Sequence, residues 1–206
     1  MGDDVLWLYV QAAAKGLIVG SSGNVSGRLS DGMLITPSGG DPDGITELAT
    51  IRMDGSELSG PTPSSEWALH AAVYAQKPDT AFVLHAHADA CTALACLAEP
   101  LPAFHYMVLQ FGGFDVRCAP YVTFGTPALA EAAAEAMQGR TACLLANHGM
   151  IVCGATARQT LSRAVALEQL CRQYLLARAA GPVRLLTDEQ MEASRERFRT
   201  YGPRRG

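Results

Sequence analysis

The sequence predicts an α/β protein: a three-layer α/β/α sandwich around a largely antiparallel central sheet. Three observations predict it. The chain has 206 residues, 49% of them hydrophobic and 17% charged, enough for one domain with a real core. Short apolar runs are joined by tight turns at Asp31-Gly32 and Asp54-Gly55, which signal hairpins. Capped helices are interspersed with those hairpins, which argues against a doubly wound parallel sheet.

The elements follow in order. Asp3 to Lys15 reads as an amphipathic helix ended by Gly16. Asn24 to Ser30 alternates, turns at Asp31-Gly32 and returns as Met33 to Thr36. Ile51 to Leu58 contains the second turn. Thr62 and Pro63 read as the N-cap and first residue of a helix that runs to Lys77 and stops before Pro78. A strand from Thr80 to His85 follows, then a helix from Asp89 to Leu97. Val116 to Val122 is β-like but interrupted by Pro120, and Pro127 to Met137 is helical. Ala142 to Ala146 and Met150 to Cys153 read as strands flanking a turn at His148-Gly149. Thr156 caps a long helix to about Ala180, and Thr187 caps a last one ending near Tyr201. No repeat or linker divides the chain, so residues 1–206 are read as one domain with a C-terminal helix and tail from about 187.

Composition removes several function classes. A net charge of −4 gives no expectation of nonspecific nucleic-acid binding. No apolar run approaches the length of a membrane span. Asp3 and Asp4 stand where a secretion signal would carry bases, and Leu6 breaks the myristoylation pattern. The six cysteines form no C-x-x-C and mostly sit in apolar surroundings, as reduced cysteines acting as small hydrophobes do. A cytoplasmic protein with no membrane and no nucleic-acid partner is expected. Only two lysines occur, Lys15 and Lys77, and both read as exposed residues at helix ends. An imine-forming lysine needs a desolvated pocket, so that chemistry is not expected.

The chemistry concentrates in a few positions. An apolar run leads into His85-Ala86-His87, and side chains two apart on a strand share a face. A second apolar run ends in Asn147-His148-Gly149, and Glu66 stands in Pro63-Ser64-Ser65-Glu66-Trp67. Any one of these histidines is as readily a hydrogen-bonded core residue. Together, three imidazoles and a carboxylate suit zinc or a similar divalent metal. His70 shares a helix face with Glu66 and could be a further ligand, but three other histidines already satisfy the site, so it is expected to pack behind them. The segments Ser21-Ser22-Gly23-Asn24 and Thr36-Pro37-Ser38-Gly39-Gly40 are either plain turns or loops that bind an anion. Ser64 and Ser65 are expected in a first helical turn, where free N–H groups and hydroxyls bind anions. A Walker lysine is missing, so no nucleotide loop is expected. Tyr106 is either a core aromatic or a general acid.

Seven segments jointly resemble the class II aldolase/adducin family, and within it the zinc-dependent L-fuculose-1-phosphate aldolases. They are SSGNVSGRL, DGMLITPSG, PSSEWALHAAVYAQKPD, VLHAHADACTAL, FHYM with a following GG, CAPYVTFGT and LLANHGMIVCG, spread over about residues 5 to 180. The resemblance implies an α/β/α fold and a homotetramer with active sites between subunits. It implies zinc, with Mn²⁺ or Co²⁺ as other candidates, held by His85, His87 and His148. Glu66 matches an acid/base that also binds the metal, and Tyr106 matches a tyrosine from a neighbouring subunit. Ser21, Gly23, Asn24, Ser38, Gly39, Ser64 and Ser65 match the phosphate site. Phe111, Phe124 and Tyr201 are expected at the aldehyde end. Ser21 and Ser38 replace threonines, and Asn147 replaces a further histidine, so Asn147 is not expected as a ligand. The bulk at Leu109 and Phe111 either favours an apolar aldehyde tail or packs a subunit interface.

The expected activity is a metal-dependent aldol cleavage of a phosphorylated sugar. A ketose 1-phosphate would give dihydroxyacetone phosphate and an aldehyde, reversibly. L-Fuculose 1-phosphate and 5-deoxy- or 5-methylthio-pentulose 1-phosphates are the candidate substrates. Sibling activities are pentulose-phosphate epimerisation and oxo-acid phosphate decarboxylation; where the decarboxylase branch often has a lysine, this chain has Ser65. Adducin-type binding domains have lost the metal histidines, which this chain keeps. A generic zinc hydrolase ranks lower still, since no base beyond Glu66 is evident.

Overall fold

A computed structural model describes residues 1–199. The chain order is α1 (Gly2–Ala14), β1 (Gly23–Arg28), β2 (Gly32–Ile35), β3 (Ala49–Arg52), β4 (Glu57–Ser59), α2 (Trp67–Gln76), β5 (Phe82–Ala86) and α3 (Asp89–Ala95). A 3-10 turn at Tyr106–Phe111 follows. Then come β6 (Cys118–Ala119), α4 (Pro127–Ala136), β7 (Ala142–Leu145), β8 (Gly149–Gly154), α5 (Ala157–Ala180) and α6 (Asp188–Arg199). The eight strands form one sheet in the order β4-β3-β2-β1-β5-β8-β7-β6. Every pairing is antiparallel except β6 with β7. The sheet is therefore mixed but mostly antiparallel, as expected.

Strand periodicity explains the three layers. Phe82, Leu84 and Ala86 of β5 join Val5 and Leu8 of α1, Leu94 of α3 and Leu167 of α5 in one core. Val83, with Ile151 and Cys153 of β8, joins Leu69 and Val73 of α2 and Leu129 and Ala133 of α4 in the other. His85 has the parity of Val83, so it faces the α2 side. The central strands carry helices on both faces and read as unbroken apolar runs for that reason.

Two expectations fail at the level of local structure. The helix expected from Pro63 begins at Trp67. Residues 62–64 instead pair with the chain after β2. Ser38 N donates to Thr62 O (3.0 Å), Ser64 N donates to Thr36 O (3.1 Å), and Pro37 bridges Pro63. That pairing satisfies backbone groups that a first helical turn would leave open, so Ser64 and Ser65 lie ahead of the helix. The strand expected over 116–122 shrinks to two residues. Pro120 has no N–H to continue the ladder, and the chain leaves the sheet there.

Arg28 ties β1 to the end of α2. Its Nη2 donates to Tyr74 O (2.5 Å) and Lys77 O (2.9 Å), and its Nε donates to Thr80 O (2.8 Å). A cation on the last carbonyls of a helix opposes the negative end of its dipole. Arg28→Ala should lower unfolding free energy by about 2–3 kcal/mol, read by urea denaturation. Arg199→Ala, which removes an exposed pair with Glu196, should leave the urea midpoint nearly unchanged. Equal effects from the two variants would remove the capping role from Arg28.

Candidate active site

Four polar side chains meet where β1, β5 and β8 lie side by side. His85 is fully buried on β5, and Glu66, 7% exposed, is the residue before α2. His87 follows β5, and His148 sits in the turn between β7 and β8. His85 Nε2 is 2.9 Å from Glu66 Oε2 and 3.0 Å from His87 Nε2. His148 Nε2 is 3.4 Å from Glu66 Oε1. The three rings stand edge to face, with centroids 4.8–4.9 Å apart in every pair. One ligand atom from each of the four residues lies within 4.8 Å of all the others.

Backbone geometry makes this convergence possible. His148 follows Asn147, whose φ of 53° is left-handed, a conformation asparagine tolerates better than most residues. Gly149 opens β8 beside His87. A Cβ there would collide with Ala86 O and stand 3.0 Å from His87 Cδ2, so glycine lets β8 close on β5 and leaves room for the ring. Glu168 of α5 holds the segment after His87: its carboxylate accepts from Ala90 N (2.8 Å) and Cys91 N (2.9 Å). An acid at that helix start also suits the dipole.

The donor set fits a cation. His85 Nδ1 lies 2.9 Å from Met150 O, and a carbonyl only accepts, so Nδ1 carries a proton. His85 Nε2 then faces the Glu66 carboxylate either as an imidazolium N–H or as a lone pair with a metal ion between. In both cases one positive charge belongs at this point. Glu66 Oε1 is buried and makes no hydrogen bond. Such orphaned oxygens cost free energy unless something binds them. A protein carbonyl orienting a histidine is also the usual support for a metal ligand.

Electrostatics agree with that reading. Burial alone would raise the Glu66 carboxyl, but the hydrogen bond from His85 and the charges of His85 and His148 outweigh it and hold it at about 2. Burial, helped by the neighbouring imidazoles, lowers His87 to about 4 and also lowers His148. The carboxylate is ionised and these rings are neutral near pH 7, the protonation states a divalent metal requires.

Glu66, His87 and His148 open onto a cleft of about 350 Å³. Ser21, Gly23, Asn24, Ser38, Gly39, Ser64 and Ser65, the candidate phosphate-site residues, all line it. Phe124 lines its outer side and is 66% exposed. Ser22, Pro37, Tyr121, Val122 and Asn147 also line it and were not anticipated. Pro120 was the available signal for Tyr121 and Val122, since it ends β6 and turns the chain toward the cleft.

Other expected residues lie elsewhere. Phe111 is fully buried in the core under α1, α3 and α5, so its ring is core packing and not part of an aldehyde pocket. Leu109 packs against the same core. Tyr201 lies outside the described residues. Tyr106 is 46% exposed and does not line the cleft. It stacks on His105 at 4.8 Å and lies 5.8 Å from Phe198 of α6, at a separate cavity. His70 is fully buried outside the ligand cluster and hydrogen-bonds to Asn24 and Ser26.

A sequence model of the Class II Aldolase and Adducin N-terminal domain matches residues 3–175. The chain is 44% identical to a 5-methylthioribulose-1-phosphate/5-deoxyribulose-1-phosphate aldolase of Rhodospirillum rubrum, over 93% of this chain and 88% of that protein. It is 45% identical to an L-fuculose phosphate aldolase of Escherichia coli O6:H1, over 92% of this chain and 89% of that protein. Its fold is similar to a solved L-fuculose 1-phosphate aldolase, with a TM-score of 0.90 and 37% identity over 96% of this chain and 95% of that one.

The four-residue cluster has a direct consequence. Purified protein should hold about one equivalent of divalent metal, measured by elemental analysis. His87→Ala and His148→Ala should each lose most of it while keeping the wild-type circular dichroism spectrum. Unchanged metal content in both variants would place the ion elsewhere.

Proposed function

We propose an activity from one premise: the chain belongs to the class II aldolase and adducin family. The protein is a class II aldolase, a carbon–carbon lyase. Its reaction is the reversible cleavage of a ketose 1-phosphate to dihydroxyacetone phosphate and an aldehyde. L-Fuculose 1-phosphate and 5-deoxy- or 5-methylthio-pentulose 1-phosphates are its substrate candidates, in line with the relatives' names. One observation carries the reading. Three imidazoles and an ionised carboxylate converge at a cleft lined by hydroxyls, glycines and two amides.

His85, His87, His148 and Glu66 would hold the metal, which we take to be zinc, with Mn²⁺ or Co²⁺ able to replace it. A bound divalent ion supplies Lewis acidity for the charge that develops on the ketone oxygen as the carbon–carbon bond breaks. The chain's own groups supply the rest. Ser21, Gly23, Asn24, Ser38, Gly39, Ser64 and Ser65 bind the phosphate and so orient the ketose. Glu66 gives or takes the proton at the carbon released by cleavage. Tyr106, from a second copy of the chain, handles the proton on the aldehyde oxygen. Phe124 contacts the aldehyde tail. Neither lysine lines the cleft, in keeping with a reaction without an imine.

We take the assembly to be a homotetramer with sites between subunits; the position of Tyr106 away from the Glu66 cleft within one chain supports a shared site. We place the enzyme in the cytoplasm, consistent with six unpaired cysteines. Among the described residues, no helix is long and apolar enough to cross a membrane.

A panel of ketose 1-phosphates, scored for release of dihydroxyacetone phosphate, tests the activity. Chelation should abolish release and added Zn²⁺ should restore it. Glu66→Gln should lower kcat by roughly 10²–10⁴-fold with the fold intact. Release that survives full metal removal would refute the class II mechanism, and no release from any member would refute the substrate class.

Subunit sharing has its own test. Oligomers of Tyr106→Phe or Glu66→Gln alone should be nearly inactive. Mixed oligomers should regain activity, because some sites then receive an intact group from each subunit. Verified mixed oligomers with no gain would return Tyr106 to a structural role.

A further inference from the structure

A line of polar side chains runs through the layer between β1 and α2 and ends on Glu66. Tyr74 Oη lies 2.8 Å from Ser26 Oγ. Ser26 Oγ lies 2.7 Å from His70 Nδ1. His70 Nε2 lies 2.5 Å from Asn24 Oδ1, and Asn24 Nδ2 lies 3.3 Å from Glu66 Oε2. All are buried: Ser26 and His70 are 0% exposed, Tyr74 1% and Asn24 5%. Apolar side chains would fill this space at lower risk, because a buried polar group left unpaired is costly. The line therefore needs a function.

Its geometry comes from two matched periods. Asn24 and Ser26 are two apart on a strand, about 6.6 Å. Glu66, His70 and Tyr74 are four apart along the start and length of α2, about 6 Å per step. The two ladders stay in register, so each strand residue meets its helix partners.

Its polarity is set from one end. The Glu66 carboxylate only accepts, so Asn24 must turn its NH₂ toward it. Asn24 Oδ1 then faces His70, whose Nε2 must carry the hydrogen. His70 Nδ1 is left to accept from the Ser26 hydroxyl, which accepts from Tyr74. Burial, more than the nearby charge of His85, depresses His70 to about 3, so the ring is neutral and has one tautomer to choose. A neutral amide does not pass protons along a chain at useful rates, so the line orients Glu66 and does not feed it.

Building on the aldolase reading, we infer that His70 is a positioning residue: it locks the Asn24 amide so that one N–H holds the Glu66 carboxylate in the orientation for proton transfer. Ser26 and Tyr74 support the tautomer that Asn24 requires, since the Ser26 hydroxyl can donate to His70 Nδ1 while Tyr74 donates to Ser26. Without His70 the amide is free to flip, which would turn Oδ1 toward the carboxylate.

The test uses the zinc-loaded full chain, with ¹⁵N-histidine NMR and steady-state kinetics. The resonance that disappears in His70→Leu is assigned to His70. In the wild type it should show hydrogen on Nε2 and not on Nδ1. His70→Leu should keep its zinc and lose about 10–100-fold in kcat, the range typical for groups that orient a metal ligand. His70→Gln, whose amide can still donate to Asn24, should recover most of that loss. Ser26→Ala should lower kcat and introduce an Nδ1–H signal. Hydrogen on Nδ1 in the wild type overturns the proposal, as does wild-type kcat in folded His70→Leu. Equal loss in the Leu and Gln variants also overturns it, because packing alone would then explain both. If His70→Leu does not fold, Ser26→Ala decides: a shifted tautomer with wild-type kcat refutes the coupling. A wild-type enzyme that releases no dihydroxyacetone phosphate is a failure of the aldolase reading, and the NMR result stands apart from it.

Discussion

The Glu66 carboxylate is buried beside His85, and the surrounding structure compensates for that burial. A desolvated carboxylate is tolerated only when charge and hydrogen bonds surround it. Here His85 stands 2.9 Å from one oxygen and Asn24 donates to the same atom. The other oxygen faces His148 at 3.4 Å without a hydrogen bond. That unused acceptor capacity suits a bound cation.

The sheet order makes that arrangement possible. β1, β5 and β8 are neighbours, although Asn24, His85 and His148 are far apart in the chain. Antiparallel pairing sets Asn24 opposite His85 and His85 opposite Ile151. Each strand brings polar groups to one end while its remaining residues fill two apolar cores. The apolar layers hold the strands, and the strands hold the imidazoles. The His85 ring is fixed by the Met150 carbonyl of the adjacent strand, so the sheet ladder also chooses its tautomer.

Two aromatic residues expected at the aldehyde end separate once the chain folds. Phe124 lies beyond Pro120, on a segment free of the sheet, and lines the cleft. Phe111 closes a 3-10 turn and goes wholly into the core. Apolar bulk alone does not tell a pocket wall from a core residue, because both are driven by the same burial. Tyr106, in that same turn, stays exposed and leans on His105 and Phe198. The turn thus buries one face and presents the other away from the cleft.

The sequence alone determined the layered fold and nearly every helix and hairpin, and it singled out Glu66, His85, His87 and His148 as candidate ligands. Those features are local or periodic: alternation marks strands, Gly and Asp mark turns, and His-x-His at a strand end puts two rings on one side. Tertiary structure decided the rest. It moved the start of α2 from Pro63 to Trp67, because pairing with residues 36–38 satisfied more backbone groups than a first helical turn. It cut the β6 strand to two residues. It also turned His70 from a residue of unspecified packing into one link of the line from Tyr74 to Glu66. Spacing along the helix shows only that Glu66, His70 and Tyr74 share a face. Which strand residues oppose them depends on how α2 lies on β1, a long-range contact that no local pattern encodes.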